Sequence, residues 1–240
     1  MSSPQMRSLK AFKALAHQTL VATPRRGTLI VIEGVDRSGK STQAASLVAR
    51  LNALSGAVTA VSMRFPDRTT QTGKLIDAYL TQKDGTDGDS IDDRTIHLLF
   101  AANRAEAMVQ LRKTLMTGTS VVVDRYAFSG VAYTHAKGAA GLDIEWCMAV
   151  DAGIIRPDVV FFLDIPTDVA ASRGEFGQER YERQDFQEKV RTAFLDIADK
   201  AYWKILDARQ SKDALGEEML HLAVTEILKT ENKPLQPLWQ

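Results

Sequence analysis

The stretch Leu29-Ile30-Val31-Ile32-Glu33-Gly34-Val35-Asp36-Arg37-Ser38-Gly39-Lys40-Ser41 decides how this chain is read. Leu29 to Ile32 is a short apolar run of the kind that forms a buried strand. Gly34 to Ser41 fits G-x-x-x-x-G-K-[ST] at every fixed position, and a helical pattern from Ser41 to Leu54 follows. Glycines let the backbone curl so that several N–H groups point inward at phosphate oxygens, and the helix N-terminus adds a partial positive charge. A plain glycine turn is the competing reading, set aside because motif and context both match. The loop therefore supplies the expected ATP contacts Gly34, Asp36, Arg37, Ser38, Gly39, Lys40, Ser41 and Thr42. Lys40 is suited to bridging the β- and γ-phosphates, and the Ser41 hydroxyl to holding Mg²⁺.

Outward from the loop, apolar runs alternate with amphipathic stretches. Strands are expected at Val58–Met63, Val121–Val123, Val159–Leu163 and, more weakly, Trp203–Leu206. Helices are expected at Gly73–Leu80, Ile91–Met116, about Phe186–Ala201 and Glu217–Leu228, with Ile144–Met148 also helical. Nearly continuous apolar strands separated by helices imply an α/β protein with a parallel sheet covered on both faces. Lys83–Ser90 and Arg173–Arg183 are polar and glycine-containing, and read as loops.

The 240 residues suit one large domain. Thirty basic and thirty acidic residues cancel, so no general attraction to nucleic acid or anionic membranes is expected. No apolar run is long enough to span a bilayer. The single cysteine, Cys147, is expected to be a small buried apolar side chain. Residues 1–27 form an extension before the first strand. Residues 1–32 hold no acidic side chain, and Arg7, Lys10, Lys13, Arg25 and Arg26 are spread through them. That composition also suits an organelle transit peptide, so a mitochondrial address is the alternative to a plain extension of a cytoplasmic protein.

A phosphate-binding loop alone is shared by switches, motors and kinases. An Asn-Lys-x-Asp guanine reader is missing after the fourth strand, and the chain is short for a motor. Three more segments narrow the choice: Arg64-Phe65-Pro66-Asp67-Arg68, Leu99-Phe100-Ala101-Ala102-Asn103-Arg104, and Asp124-Arg125-Tyr126-Ala127-Phe128-Ser129-Gly130. With the loop Val35–Gln43, the segment Arg173–Glu182 and the tail Lys233-Pro234-Leu235…Leu238-Trp239, they resemble the thymidylate kinase family over residues 28–240. The resemblance is to the eukaryotic type, which carries an arginine in the phosphate loop.

The resemblance implies a nucleoside monophosphate kinase fold: a five-stranded parallel sheet flanked by helices, with a lid at about 173–183. It implies transfer of the γ-phosphoryl group of ATP to dTMP, giving dTDP and ADP, by a homodimer. Another nucleoside monophosphate kinase, or a non-kinase nucleotide-binding module, is the alternative. The expected catalytic set is Asp36, Arg37, Lys40 and Arg125, with Ser41 and Asp124 at the Mg²⁺ site and Arg173 flanking adenine. The expected dTMP set is Asp36, Phe65, Arg68, Phe100, Arg104, Arg125, Tyr133 and Tyr181. Phe100 and Arg104 lie four residues apart and so share a helix face, one to stack on a base and the other to donate to a carbonyl. His97, on the same helix, is read as packing.

Overall fold

The computed structural model describes residues 26–54, 58–81, 91–173, 179–230 and 233–240. The expected loop at Lys83–Ser90, the middle of the lid and residues 1–25 lie outside these.

Five short strands, β1 (Leu29–Glu33), β2 (Ala60–Arg64), β3 (Ser120–Asp124), β4 (Val159–Asp164) and β5 (Trp203–Asp207), form one sheet in the order β2-β3-β1-β4-β5. Every pairing is parallel, with Ile30 opposite Val122 on one side and Val159 on the other. β1 and β3 are buried at every position, as strands covered on both faces must be. β2 is an edge strand, so Val61, Ser62 and Arg64 reach solvent.

Eight helices occur among the described residues: α1 (Lys40–Asn52), α2 (Gln71–Thr81), α3 (Asp93–Met116), α4 (Ala127–His135), α5 (Ile144–Val150), α6 (Thr167–Ala171), α7 (Gln184–Asp196) and α8 (Lys212–Thr230). α3 starts where Asp92 caps the amides of Arg94 and Thr95. α5 starts the same way, with Asp143 capping Trp146. α4 and α6 were not expected from the sequence. Phe128 and Val131 of α4 are completely buried, so tertiary packing holds this helix despite Gly130 and two β-branched residues. α8 runs from Lys212, five residues earlier than expected, because its own Leu215 and Gly216 are buried and hold the first turns in place.

Arg26 and Gly27, assigned to the extension by sequence, are tied into the domain. Arg26 makes a two-point ion pair with Asp158 at 2.8 and 2.7 Å and donates to the Lys233 carbonyl. A Cβ on Gly27 would sit 1.9 Å from the Thr119 carbonyl oxygen. Cys147 is free and buried, and burial pushes its thiol up to about 11, which suits packing rather than nucleophilic chemistry.

Candidate active site

In a parallel sheet the loops that leave the carboxyl ends of the strands meet along one edge. Here that edge brings together the loop after β1, Phe65–Arg68 after β2, Asp124 and Arg125 at the end of β3, Arg173 beyond β4 and Ala208 after β5. Asp36–Thr42, Phe65, Pro66, Arg68, Arg125, Arg173 and Ala208 line a cleft of about 640 Å³, and Asp124 reaches its edge through Ser41.

The loop after β1 curls through left-handed positions at Gly34 (φ 151°), Arg37 (φ 63°) and Gly39 (φ 97°). A Cβ on Gly34 would meet Ser38 Oγ at 2.7 Å and the Leu163 carbonyl at 2.9 Å, so glycine is needed there for close approach as well as for its dihedral. Lys40 folds back over the loop, donating to the Val35 carbonyl at 2.6 Å. Burial and then the Arg125 cation pull its ammonium down to about 7. The Ser41 hydroxyl donates to Asp124 Oδ2 at 2.5 Å, which sets side by side the two residues expected at the metal.

Arg125 is positioned by a buried carboxylate that the sequence reading did not single out. Glu33, the last residue of β1, accepts from the amides of Tyr126 (2.8 Å) and Ser129 (3.0 Å) and from the Ser129 hydroxyl (2.6 Å). It thereby caps α4 and fixes the turn in which Arg125 adopts φ 66°. Burial raises the Glu33 carboxyl above its ordinary range, with Ser129, Arg125 and the two amides opposing. Arg125 pairs with Asp36 through Nη2 and lies over the Tyr133 ring at 5.2 Å. For Asp36, burial is the largest influence and raises its pKa, but Arg125 and Lys40 together outweigh it and hold it below the usual range. Gln187 completes this corner, donating to Asp36 Oδ2 at 2.7 Å and accepting from the Asp36 amide at 2.8 Å.

Arg104 is 2% exposed, and its Nε and Nη2 bind Asp151 at 2.8 and 2.5 Å. Nη1 is left as the nitrogen not engaged by Asp151. A Cβ on Gly130 would come within 2.8 Å of the guanidinium, so that glycine makes room for it. Phe100, one turn before Arg104, packs with Ile76, Tyr79 and Ile96 and forms part of the cleft wall. Phe65 is nearly buried against Tyr126, with ring centroids 5.9 Å apart. Its loop is held by buried Asn103, which accepts from the Asp67 amide and donates to the Asp67 carbonyl.

Arg68 pairs with Asp77 at 2.7 Å and with Glu179 of the lid segment at 2.8 Å. Tyr181 stacks on Phe186 and approaches Tyr133 at 5.6 Å. Arg173 donates to the carbonyls of Arg37 (3.3 Å), Ser38 (3.2 Å) and Ala208 (2.7 Å), which ties the phosphate loop to the end of β5. The expected residues thus converge on one cleft, with Glu33, Asn103 and Asp151 supporting them from behind. Those three escaped notice because a buried carboxylate or amide leaves no mark in a single sequence until its partners are known.

The family model for thymidylate kinase matches residues 32–219. This chain belongs to the thymidylate kinase family. It is 47% identical to a thymidylate kinase of Arabidopsis thaliana over 215 residues, covering 89% of this chain and 78% of that protein. Identity to the Homo sapiens thymidylate kinase is 44% over 218 residues, covering 90% and 99%. The solved thymidylate kinase structure from Candida albicans superposes with a TM-score of 0.80 at 36% identity, over 90% of this chain and all of that one. Membership of the thymidylate kinase family accounts for a five-stranded parallel sheet whose phosphate loop and α3–α4 wall share one cleft.

Proposed function

We propose that this chain transfers the γ-phosphoryl group of ATP to dTMP, giving dTDP and ADP. One observation carries the reading beyond family membership: the cleft that holds the phosphate loop also holds an aromatic and guanidinium wall, Phe100 and Arg104, with cations at Arg68 and Arg125 between. A nucleotide switch has no use for a second anion site beside a base-sized pocket.

An oxygen of the acceptor phosphate attacks the γ-phosphorus while the bond to the β–γ bridging oxygen breaks, and ADP leaves with that electron pair. The acceptor oxygen is already a nucleophile, so the residues' task is to align two anions and offset their repulsion. Lys40 and Arg37 serve the transferred group, Arg68 and Arg125 the acceptor phosphate, and Tyr133 lies beneath the sugar. The carboxylates now paired with these arginines, Asp36, Asp77, Glu179 and Glu182, give way to phosphate. Arg173 flanks adenine, and Tyr181 closes over the acceptor.

Ser41 and Asp124 would hold Mg²⁺. They fit it: both offer hard oxygen donors, and Asp124 Oδ1 is buried with no hydrogen-bond partner. A cation held by them would supply positive charge to offset that of the phosphates.

We also infer a homodimer. Leu98, Ala102, Ala105, Val109 and Met116 form one exposed stripe along α3, with Val109 81% exposed. Val109→Glu is expected to yield monomers by sedimentation, and an unchanged mass would refute this face. Among the described residues no helix is long and apolar enough to cross a membrane. A cytoplasmic protein is the reading we adopt; a reporter fused to residues 1–27 that collected in mitochondria would change it.

The test of the main reading is coupled ADP release with a panel of acceptors: dTMP, dUMP, dCMP, dGMP and dAMP. Fastest turnover of dTMP is expected. Equal or faster turnover of dCMP, dGMP or dAMP would overturn the assignment, and ADP release indifferent to any acceptor would point to a non-kinase ATPase.

A further inference from the structure

The α3–α4 wall carries a hydrogen-bond relay that the phosphate chemistry does not use. His97 of α3 is completely buried, with Nε2 3.2 Å from the Cys147 carbonyl oxygen and Nδ1 2.8 Å from Thr134 Oγ1 of α4. A carbonyl oxygen only accepts, so Nε2 carries the ring hydrogen. Burial, and then the nearby Arg104 cation, lower the proton affinity of the ring and keep it neutral. Nδ1 is then a bare lone pair, and the Thr134 hydroxyl must donate to it. That commits the one hydroxyl hydrogen. Toward the cleft, whose wall Thr134 helps to form, the oxygen has only lone pairs left. The Trp146 ring, its centroid 5.1 Å from that of His97, helps hold the imidazole in place.

The relay sits in register with the base pocket. Arg104 follows His97 by seven residues, two turns of α3, and therefore lies on the same face. Gly130 precedes Thr134 by four residues on α4. Arg104 accordingly meets Gly130, His97 meets Thr134, and Phe100 lies between them on α3. The wall presents a donor at Arg104, whose guanidinium lies against Gly130, and an acceptor at Thr134, one turn further along α4.

We propose that Thr134 is a specificity-determining residue whose hydroxyl oxygen accepts a hydrogen bond from the imide N–H of the thymine base, and that His97 is the positioning residue that fixes the hydroxyl's polarity. The proposal rests on the reading that the Phe100 and Arg104 pocket holds the base. Thymine offers a carbonyl to Arg104 and an adjacent N–H to Thr134. Cytosine reverses both, with an amine facing the guanidinium and a ring lone pair facing the hydroxyl oxygen. Guanine repeats thymine's pattern, so the relay excludes cytosine, and pocket size must exclude guanine.

The experiment measures kcat/KM for dTMP and dCMP in Thr134→Val and Thr134→Ser. Val is isosteric but leaves the imide N–H unpaired in a buried site, so dTMP turnover should fall about fivefold to hundredfold with dCMP unchanged or improved. Ser keeps the hydroxyl and should restore most of the discrimination. The nitrogen-15 NMR spectrum of the unsubstituted protein should show His97 neutral, with hydrogen on Nε2 alone. An unchanged dTMP-to-dCMP ratio in the Val variant, equal losses in Val and Ser, or hydrogen on Nδ1 of His97 would each overturn the proposal. Phe100→Ala and Arg104→Met separate the two claims. If they raise the KM for dTMP while Thr134→Val does not alter selectivity, the pocket stands and the relay falls. If none of these variants affects dTMP, the pocket reading itself fails.

Discussion

Arg37 of the phosphate loop donates from Nε to the Glu182 carboxylate of the lid segment at 3.0 Å, joining positions 145 residues apart in the chain. The loop's arginine is held at φ 63°, a left-handed conformation that costs a non-glycine residue roughly 1–2 kcal/mol. A long cation in a strained position, reaching across to the lid, has a poor structural rationale and a good catalytic one.

Arg37→Gly removes the charge and relieves that backbone strain together. We expect a folded protein, no less stable than the original by more than the lost ion pair, that binds ATP and dTMP within a few-fold but turns over at least ~100-fold more slowly, because an arginine acting on the transferring group is worth ~10³–10⁵ in rate. Near-normal kcat here, with kcat collapsing instead in an Arg173, Arg180 or Arg183 variant, would move the role to the lid.

Lys40 should bind a proton when ATP arrives. Among the protein groups alone its pKa lies at about 7, while phosphate oxygens beside the ammonium favour the charged form and move it back up toward its ordinary value. At about pH 8.5 the free side chain is mostly neutral and the bound one charged, so ATP binding takes up most of one proton. At about pH 6 both forms are charged and this uptake vanishes. Affinity for ATP accordingly falls as pH rises through 7 to 9. Calorimetry in buffers of different ionisation enthalpy reads this directly, and no net uptake at the higher pH would refute it.

Asp151→Asn should leave the Arg104 guanidinium buried without a counter-charge. The pair is 2% and 1% exposed, and breaking such a pair costs ~3–5 kcal/mol. A lower melting temperature is expected, together with a KM for dTMP raised more than that for ATP. The double variant Arg104→Met with Asp151→Leu should recover stability but not dTMP affinity. Recovery of both would show that the pair is purely structural.

The domain's N-terminal limit should fall between Arg26 and Thr28. A chain starting just before Arg26 is expected to match the full chain in stability and turnover. One starting at Thr28 loses the two-point Asp158 pair and the Gly27 amide bond to Leu115, and should be less stable by about 1–3 kcal/mol. Equal denaturant midpoints for the two truncations would place the limit further along the chain.

The sequence by itself determined the loop Gly34–Ser41, the five strands to within two residues at each end and the long helix α3. These were legible because each depends on local chemistry: glycines where φ is positive, apolar runs where both sheet faces are covered, and a long amphipathic run for α3. Tertiary structure alone decided α4, because a segment with Gly130, Val131 and Thr134 has little intrinsic helical preference and is helical through Phe128, Val131 and the Glu33 cap. It also decided which charges meet. Asp151 with Arg104, Glu33 with Ser129 and His97 with Thr134 are separated by 47, 96 and 37 positions. No periodicity or spacing links such residues. They come together only when the sheet order sets β1 beside β3 and packs α3 against α4, and burial then makes each pairing obligatory, since an unpaired polar group in the core costs more than the bond itself yields.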